Sequence, residues 1–177
     1  FLFAACENEM AEISRINDKR TGVEEGYNIE SLLSNGGKMK ARLKAPLMLR
    51  YQLDTVKVEF PKTLHVDFYD DSARIESELF AKYGRYLENE NKVFLRDSVV
   101  VFNIGKDTLF ADELYWDQSK QVFYTDKPVV ISKSTRPRQK IYGSGLTADQ
   151  NFKWFTITNL RQPSFTVLPD SSMPSEQ

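Results

Sequence analysis

The chain has 177 residues and a mass of 20.5 kDa, which fits one domain with tails. With 41 % hydrophobic and 28 % charged residues it can bury a core and stay in solution, so it is neither a disordered polyelectrolyte nor a membrane bundle. Lys and Arg (24) nearly cancel Asp and Glu (25). The excess positive charge that displaces counterions from nucleic acid is missing, and no nucleic-acid partner is expected. One cysteine and one histidine exclude a disulfide framework, Cys-clustered zinc or iron–sulfur sites, and His-rich metal sites. No metal or cofactor is expected.

Taken in chain order, the first feature is Phe1-Leu2-Phe3-Ala4-Ala5-Cys6. An apolar run, two small residues and then a cysteine resemble a bacterial lipoprotein signal, in which the cysteine is lipidated and becomes the mature N-terminus. The alternative is a buried free thiol, to which the polar Glu7-Asn8-Glu9 that follows is ill suited. Ile13 to Ile16 permits a short helical start, cut by Asn17-Asp18 and Gly22. Residues 1–21 are thus expected to be a signal remnant, a lipidated Cys6 and a linker.

From there strand periodicity dominates. Asn35-Gly36-Gly37 reads as a turn suited to positive φ, and Lys38 to Ala45 alternates without a break, placing Met39, Ala41, Leu43 and Ala45 on one face. Thr55 to Phe60 repeats the pattern with Val56, Val58 and Phe60, ended by Pro61. Next come Leu64, Val66 and Phe68 on one face, with His65 on the opposite side beside Thr63 and Asp67, where it reads as a solvated surface histidine. If the strands on either side of Lys62-Thr63 pair, they form a two-strand apolar wall. Asp70-Asp71-Ser72 is a turn. Arg74 through Tyr83 reads as one strand with Ile75, Ser77, Leu79, Ala81 and Tyr83 on one face, so that Ile75 and Leu79 would extend the wall.

The second half repeats itself. Val93-Phe94-Leu95-Arg96-Asp97 matches Val122-Phe123-Tyr124-Thr125-Asp126 twenty-nine positions on, and Asp117-Gln118 returns as Asp149-Gln150. Strand–turn–strand units that cannot cover their own apolar faces are expected to stack into a continuous core. Lys133 to Arg138 should be an exposed loop, and 169–177 a disordered tail. The expected architecture is one antiparallel all-β domain over 22–168, a jelly roll or an open β-taco.

Chemistry finds little purchase. There is no Gly-x-Ser-x-Gly elbow and no phosphate loop, and no carboxylate pair is singled out, so the chain does not read as an enzyme. A series of segments carries more information: Gly36 to Pro46, Val58 to Lys62, Val66 to Asp70, Ser77 to Tyr83, Asp112 to Asp117, Tyr124 to Val129 and Ile141 to Leu146. Together these resemble the LptC family, the periplasmic component of the lipopolysaccharide-export ABC transporter, in its Bacteroidota form. The resemblance spans roughly Gly22 to Leu160. It implies an OstA-like β-jelly-roll conduit, held at the inner membrane by lipidated Cys6 rather than by the transmembrane helix of many family members. Such a domain would accept lipopolysaccharide from the transporter's permease subunits and pass it, edge to edge, to a periplasmic bridge protein of the LptA type.

In that reading Leu43, Val56, Val58, Phe60, Leu64, Val66, Phe68, Ile75 and Leu79 are candidates for a lipid groove. Exposed strand edges would recruit the neighbours: Met39, Ala41 and Ala45 in the first long strand, Phe155 and Ile157 in the last. The rival from another class is a structural or surface-adhesion lipoprotein in which the same apolar face is simply filled by protein.

Overall fold

Alternating sequence becomes strand wherever one face has something to pack against. The computed structural model describes residues 22–52 and 56–161, and places strands at β1 (Val23–Asn35), β2 (Lys38–Tyr51), β3 (Lys57–Phe60), β4 (Leu64–Tyr69), β5 (Ile75–Ala81) and β6 (Tyr83–Leu87). There follow β7 (Lys92–Asn103), β8 (Thr108–Asp117), β9 (Val122–Lys133), β10 (Gln139–Asp149) and β11 (Phe155–Arg161). All pairings are antiparallel and belong to one sheet. No α-helix occurs among the described residues. The Gly36-Gly37 turn forms as expected, with φ of 58° and 75°, values that cost glycine nothing.

The topology simplifies once β3 and β4 are seen as two halves of one ply, and β5 and β6 as halves of the next. β3 runs along one end of β2 (Tyr51↔Lys57, Leu49↔Glu59) and β4 along the other (Lys44↔His65, Ala41↔Phe68). β6 and β5 do the same to β3 and β4, and the single long strand β7 then spans both, pairing with β6 through Lys92–Arg96 and with β5 through Val100–Asn103. The described strands therefore form a plain meander whose plies bend near their middles.

The bends leave a line of irregularities across the sheet. Registers slip at Arg96/Val99, Ala111/Tyr115 and Ser144/Leu146. Left-handed backbone appears at Asn28, Thr63, Asp97, Ser98 and Gly145. Folded along this line, the sheet faces itself as two layers, an all-β taco of the jelly-roll type. Bulges and breaks of this kind are how a continuous sheet turns a sharp corner.

Inward alternation continues through each bend. On β7, Val93 and Leu95 are buried before the corner and Val99 and Val101 after it; on β9 the same holds for Phe123, then Val129 and Ile131. The two strands have the same burial sequence, and they begin thirty positions apart, at Lys92 and Val122. The expected repeat of twenty-nine matches letters but pairs buried Val93 with half-buried Val122. A slip of one residue swaps the faces, so the structural repeat is the one set by burial.

One further expectation changes. The run from Arg74 to Tyr83 is not one strand: it breaks at Lys82, whose N–H bonds to the Asp97 carbonyl at 3.0 Å. β1 carries no alternation in its sequence, and it packs Ile29 and Leu33 against the core while most of its other residues stay exposed.

At the other end of the meander β11 is held by β10 alone. That pairing depends on Gly143: a Cβ there would lie 2.4 Å from Ile157 Cγ2 and 2.7 Å from the Asn159 carbonyl oxygen. Gly143→Ala is expected to cost roughly 1–3 kcal/mol of overpacking strain, concentrated in β11. Hydrogen exchange should then accelerate over Phe155–Arg161 while β7 and β8 keep their protection. On β6, Tyr83 donates a 2.8 Å hydrogen bond to Glu59, and burial together with that bond pushes its hydroxyl up to about 12 from 10.0. Because the folded value lies above the unfolded one, the stabilisation is complete below pH 10 and is lost as pH rises through about 12. Ultraviolet titration should show a late-ionising tyrosine component in that window that is lost in Tyr83→Phe.

Candidate functional site

The residues expected to line a groove are mostly inside. Leu43, Phe60, Leu64, Val66, Phe68 and Leu79 belong to the core between the layers, and Phe68 and Leu79 are 0 % exposed. Val58 packs against that core half-buried, Val56 is half-buried beyond the end of β3, and Ile75 stands 39 % exposed outside the cluster. The two-strand wall does not form: β3 and β4 are collinear, and each pairs with β2. Both run antiparallel to β2 and so in the same direction, and Thr63 at φ 89° carries the ply round the corner instead of reversing it.

Opposite the fold line the taco has a mouth. One lip consists of turns such as Asp70–Ala73, the other of turns such as Gln118–Gln121 and Gln150–Trp154. The interior beneath is filled. Phe68 on β4 meets Trp116 on β8 edge-on at 4.9 Å and Phe123 on β9 at 5.6 Å, although β5 and β7 separate β4 from β8 along the sheet. These rings are the direct contact of one layer with the other.

Polar groups tie the lips together. Ser77, buried at 1 % on β5, donates its hydroxyl to the Gln150 carbonyl at 2.7 Å. The Gln150 side chain accepts from Trp116 Nε1 at 3.3 Å, and Lys153 pairs with Glu76 at 3.3 Å. Clefts of about 400 Å³ and 340 Å³ open at the mouth, the first bordered by Asp71, Glu76, Asp149 and Lys153, the second by Lys40, Ala41, Trp116 and Gln150. Neither Ser77 nor Gln150 had a role in the sequence. A hydroxyl on an otherwise apolar strand face, and a repeated Asp-Gln pair, were the signals available.

The lip turns are well braced. Asp70 Oδ1 accepts from the backbone N–H groups of Arg74 and Ser72 at 2.9 and 2.8 Å, and these bonds, the Arg74 N–H foremost, hold its carboxyl below the usual carboxylate range against burial. Burial pushes the Asp107 carboxyl up, but Lys133 and the Ser134 N–H outweigh it and keep it low. The turn expected at Asp70-Asp71 is therefore a stapled one.

Strand edges fall differently from expectation. Met39, Ala41 and Ala45 are not on an edge: β2 lies between β1 (Ala41↔Leu33, Ala45↔Ile29) and β4, and β1 had gone unread because its polar sequence lacks a period. Phe155 and Ile157 lie on β11, whose outer side has no neighbour among the described residues. His65 is not simply solvated. It is half-buried, stacked on Phe80 at 4.1 Å, beside a buried Asp67. Cys6, the helical start at Ile13–Ile16 and the 169–177 tail lie outside the described residues.

An antiparallel sheet folded on itself around a long apolar interior, with a tied mouth and a free terminal strand, defines an all-β domain of the jelly-roll or taco type. The chain belongs to the lipopolysaccharide-assembly, LptC-related family, whose model matches residues 18–159. No curated protein matches it. Membership gives it a role in lipopolysaccharide transport; the family is a periplasmic component of an inner-membrane-associated system. Among the described residues no helix is long and apolar enough to cross a membrane.

Because Val66 is 1 % exposed between β2 and β5, Val66→Asp would bury a carboxylate with no partner. Loss of more than about 4 kcal/mol is expected, read as a collapsed thermal transition by circular dichroism. A variant melting like the parent would mean that this face opens to water.

Proposed function

We propose that the chain is a non-catalytic lipopolysaccharide conduit whose mouth opens to admit acyl chains between the layers. It accepts lipid from the permease subunits of the inner-membrane transporter, to whose membrane lipidated Cys6 holds it, and passes lipid to an LptA-type bridge protein through the free edge at Phe155 and Ile157. The observation that carries the reading is the long apolar interior whose two layers are tied across the mouth at Ser77–Gln150 and Glu76–Lys153. A filled interior cannot hold an acyl chain at the same time, so occupancy requires the layers to part.

The energy scale suits such a carrier. Burying one CH₂ contributes ~0.8 kcal/mol, so a dozen-carbon chain fully enclosed would gain roughly 10 kcal/mol. Displacing side chains that already fill the space offsets much of this, which leaves lipid bound but releasable to a neighbour of the same build.

The filled core also favours a second reading, a structural or adhesion lipoprotein that never opens. Loosening the tie separates the two. Ser77→Ala leaves a buried carbonyl unpaired at a cost of ~1–3 kcal/mol, and each 1.4 kcal/mol raises the open population about tenfold if the open state relieves that loss. Purified Ser77→Ala/Lys153→Ala chain, shown to be folded, should capture lipopolysaccharide at least several-fold more than the parent in photocrosslinking from Leu43. Absence of capture by both proteins would favour the filled-core reading.

A further inference from the structure

His65, Asp67 and Glu78 stand on the outer face of the layer formed by β2, β4 and β5, away from the interior and the mouth. Asp67 and Glu78 are direct cross-strand partners, and two carboxylates in that relation repel unless a cation lies between or beside them. Arg42, the register partner of Asp67 on β2, supplies part of it. Its Nε and Nη2 both donate to Asp67 Oδ2, at 3.0 and 2.8 Å. That leaves Asp67 Oδ1, on a side chain 4 % exposed, turned toward His65 Nε2 at 3.1 Å. Glu78 Oε2 approaches the same nitrogen at 3.2 Å.

One imidazole nitrogen carries at most one N–H, yet two carboxylate oxygens converge on it. We infer that His65, Asp67 and Glu78 form a divalent-cation site, for which zinc is the fitting ion. The three ligand atoms lie within 4.8 Å of one another. Metal–ligand bonds of about 2.0–2.2 Å set neighbouring ligands roughly 3.0–3.5 Å apart around a tetrahedral or octahedral ion, which is the spacing that the nitrogen already keeps to each oxygen.

The ligands are also held in place. The two Arg42 bonds fix the Asp67 carboxylate, and the His65 ring lies flat on Phe80, 4.1 Å away and 7° from parallel. Outer contacts that orient metal ligands in this way are a regular part of built sites. His65 and Glu78 are 29 % and 31 % exposed, so water can complete the coordination. An N,O,O donor set suits zinc, whereas magnesium prefers oxygen and keeps its waters. Two carboxylates against Arg42 leave a net charge of −1 for the cation to meet.

The single histidine makes the test direct, since every imidazole resonance in the NMR spectrum belongs to His65. Zinc chloride titrated into the full chain, without an affinity tag, should shift those resonances and saturate at one ion per chain by calorimetry. Glu78→Gln should weaken binding at least tenfold, His65→Gln should abolish it, and Cys6→Ser should leave it unchanged. Magnesium should produce no shift. The site is overturned if zinc leaves the His65 signals in place, if binding is lost with Cys6→Ser, or if folded Glu78→Gln binds as tightly as the parent. In those cases the cluster is an imidazole bridging two carboxylates and nothing more.

Discussion

Every ply of this sheet has to turn a corner at the same height without changing which side chains face inward. Burial alternates with a period of two, so the number of residues spent at a corner decides whether the second half of a strand faces inward or toward solvent. β7 and β9 solve this with three exposed residues at the corner, Arg96-Asp97-Ser98 and Asp126-Lys127-Pro128, which resume inward alternation at Val99 and Val129. The first plies solve it by breaking, at Pro61–Thr63 and at Lys82. β10 uses Gly145 at φ 72°. The devices differ, but each delivers an apolar residue to the same interior on both sides of the bend.

Because the corner is shared, the two layers meet along their whole described length, and the interior they enclose is packed by long-range contacts such as Phe68 with Trp116 and Phe123. Among the described residues the buried side chains of the two layers meet across the interior, so any cargo admitted there competes with side chains already in place. In the function proposed above, the family role in lipopolysaccharide transport depends on how readily the layers separate. Antiparallel ladders within each layer are extensive, and among the described residues the polar ties between the lips include Ser77 to Gln150 and Asn151, and Lys153 to Glu76.

The outer faces carry a different chemistry. On one, His65, Phe80, Val100, Phe110, Val130 and Tyr142 are successive cross-strand neighbours. On the other, Phe94, Tyr115 and Tyr124 follow in the same manner with rings 5.0–5.2 Å apart. Cross-strand aromatic pairs stabilise the ladder from outside by a few tenths to about 1 kcal/mol each. The high aromatic content is thereby divided between an interior that closes the layers and two exteriors that hold neighbouring strands in register.

Alternation in the sequence determined that the chain is antiparallel β, where most strands lie, that Gly36-Gly37 and Asp70-Asp71 turn, and which letters of β4 face the core, because a period of two is a local property. The ordered segments from Gly36 to Leu146 were enough to place it in its family. Tertiary structure decided the rest. It made β2 an interior strand by covering it with β1, whose polar residues gave no sign of pairing. It set the repeat at thirty rather than twenty-nine, since burial and not letter identity defines the face. It turned a groove wall into a packed core by bringing the second layer against Val66 and Phe68, and gathered Ser77 with Gln150, and His65 with Glu78, from separate strands. Local periodicity can say that a face is apolar; only the far half of the folded sheet says what covers it.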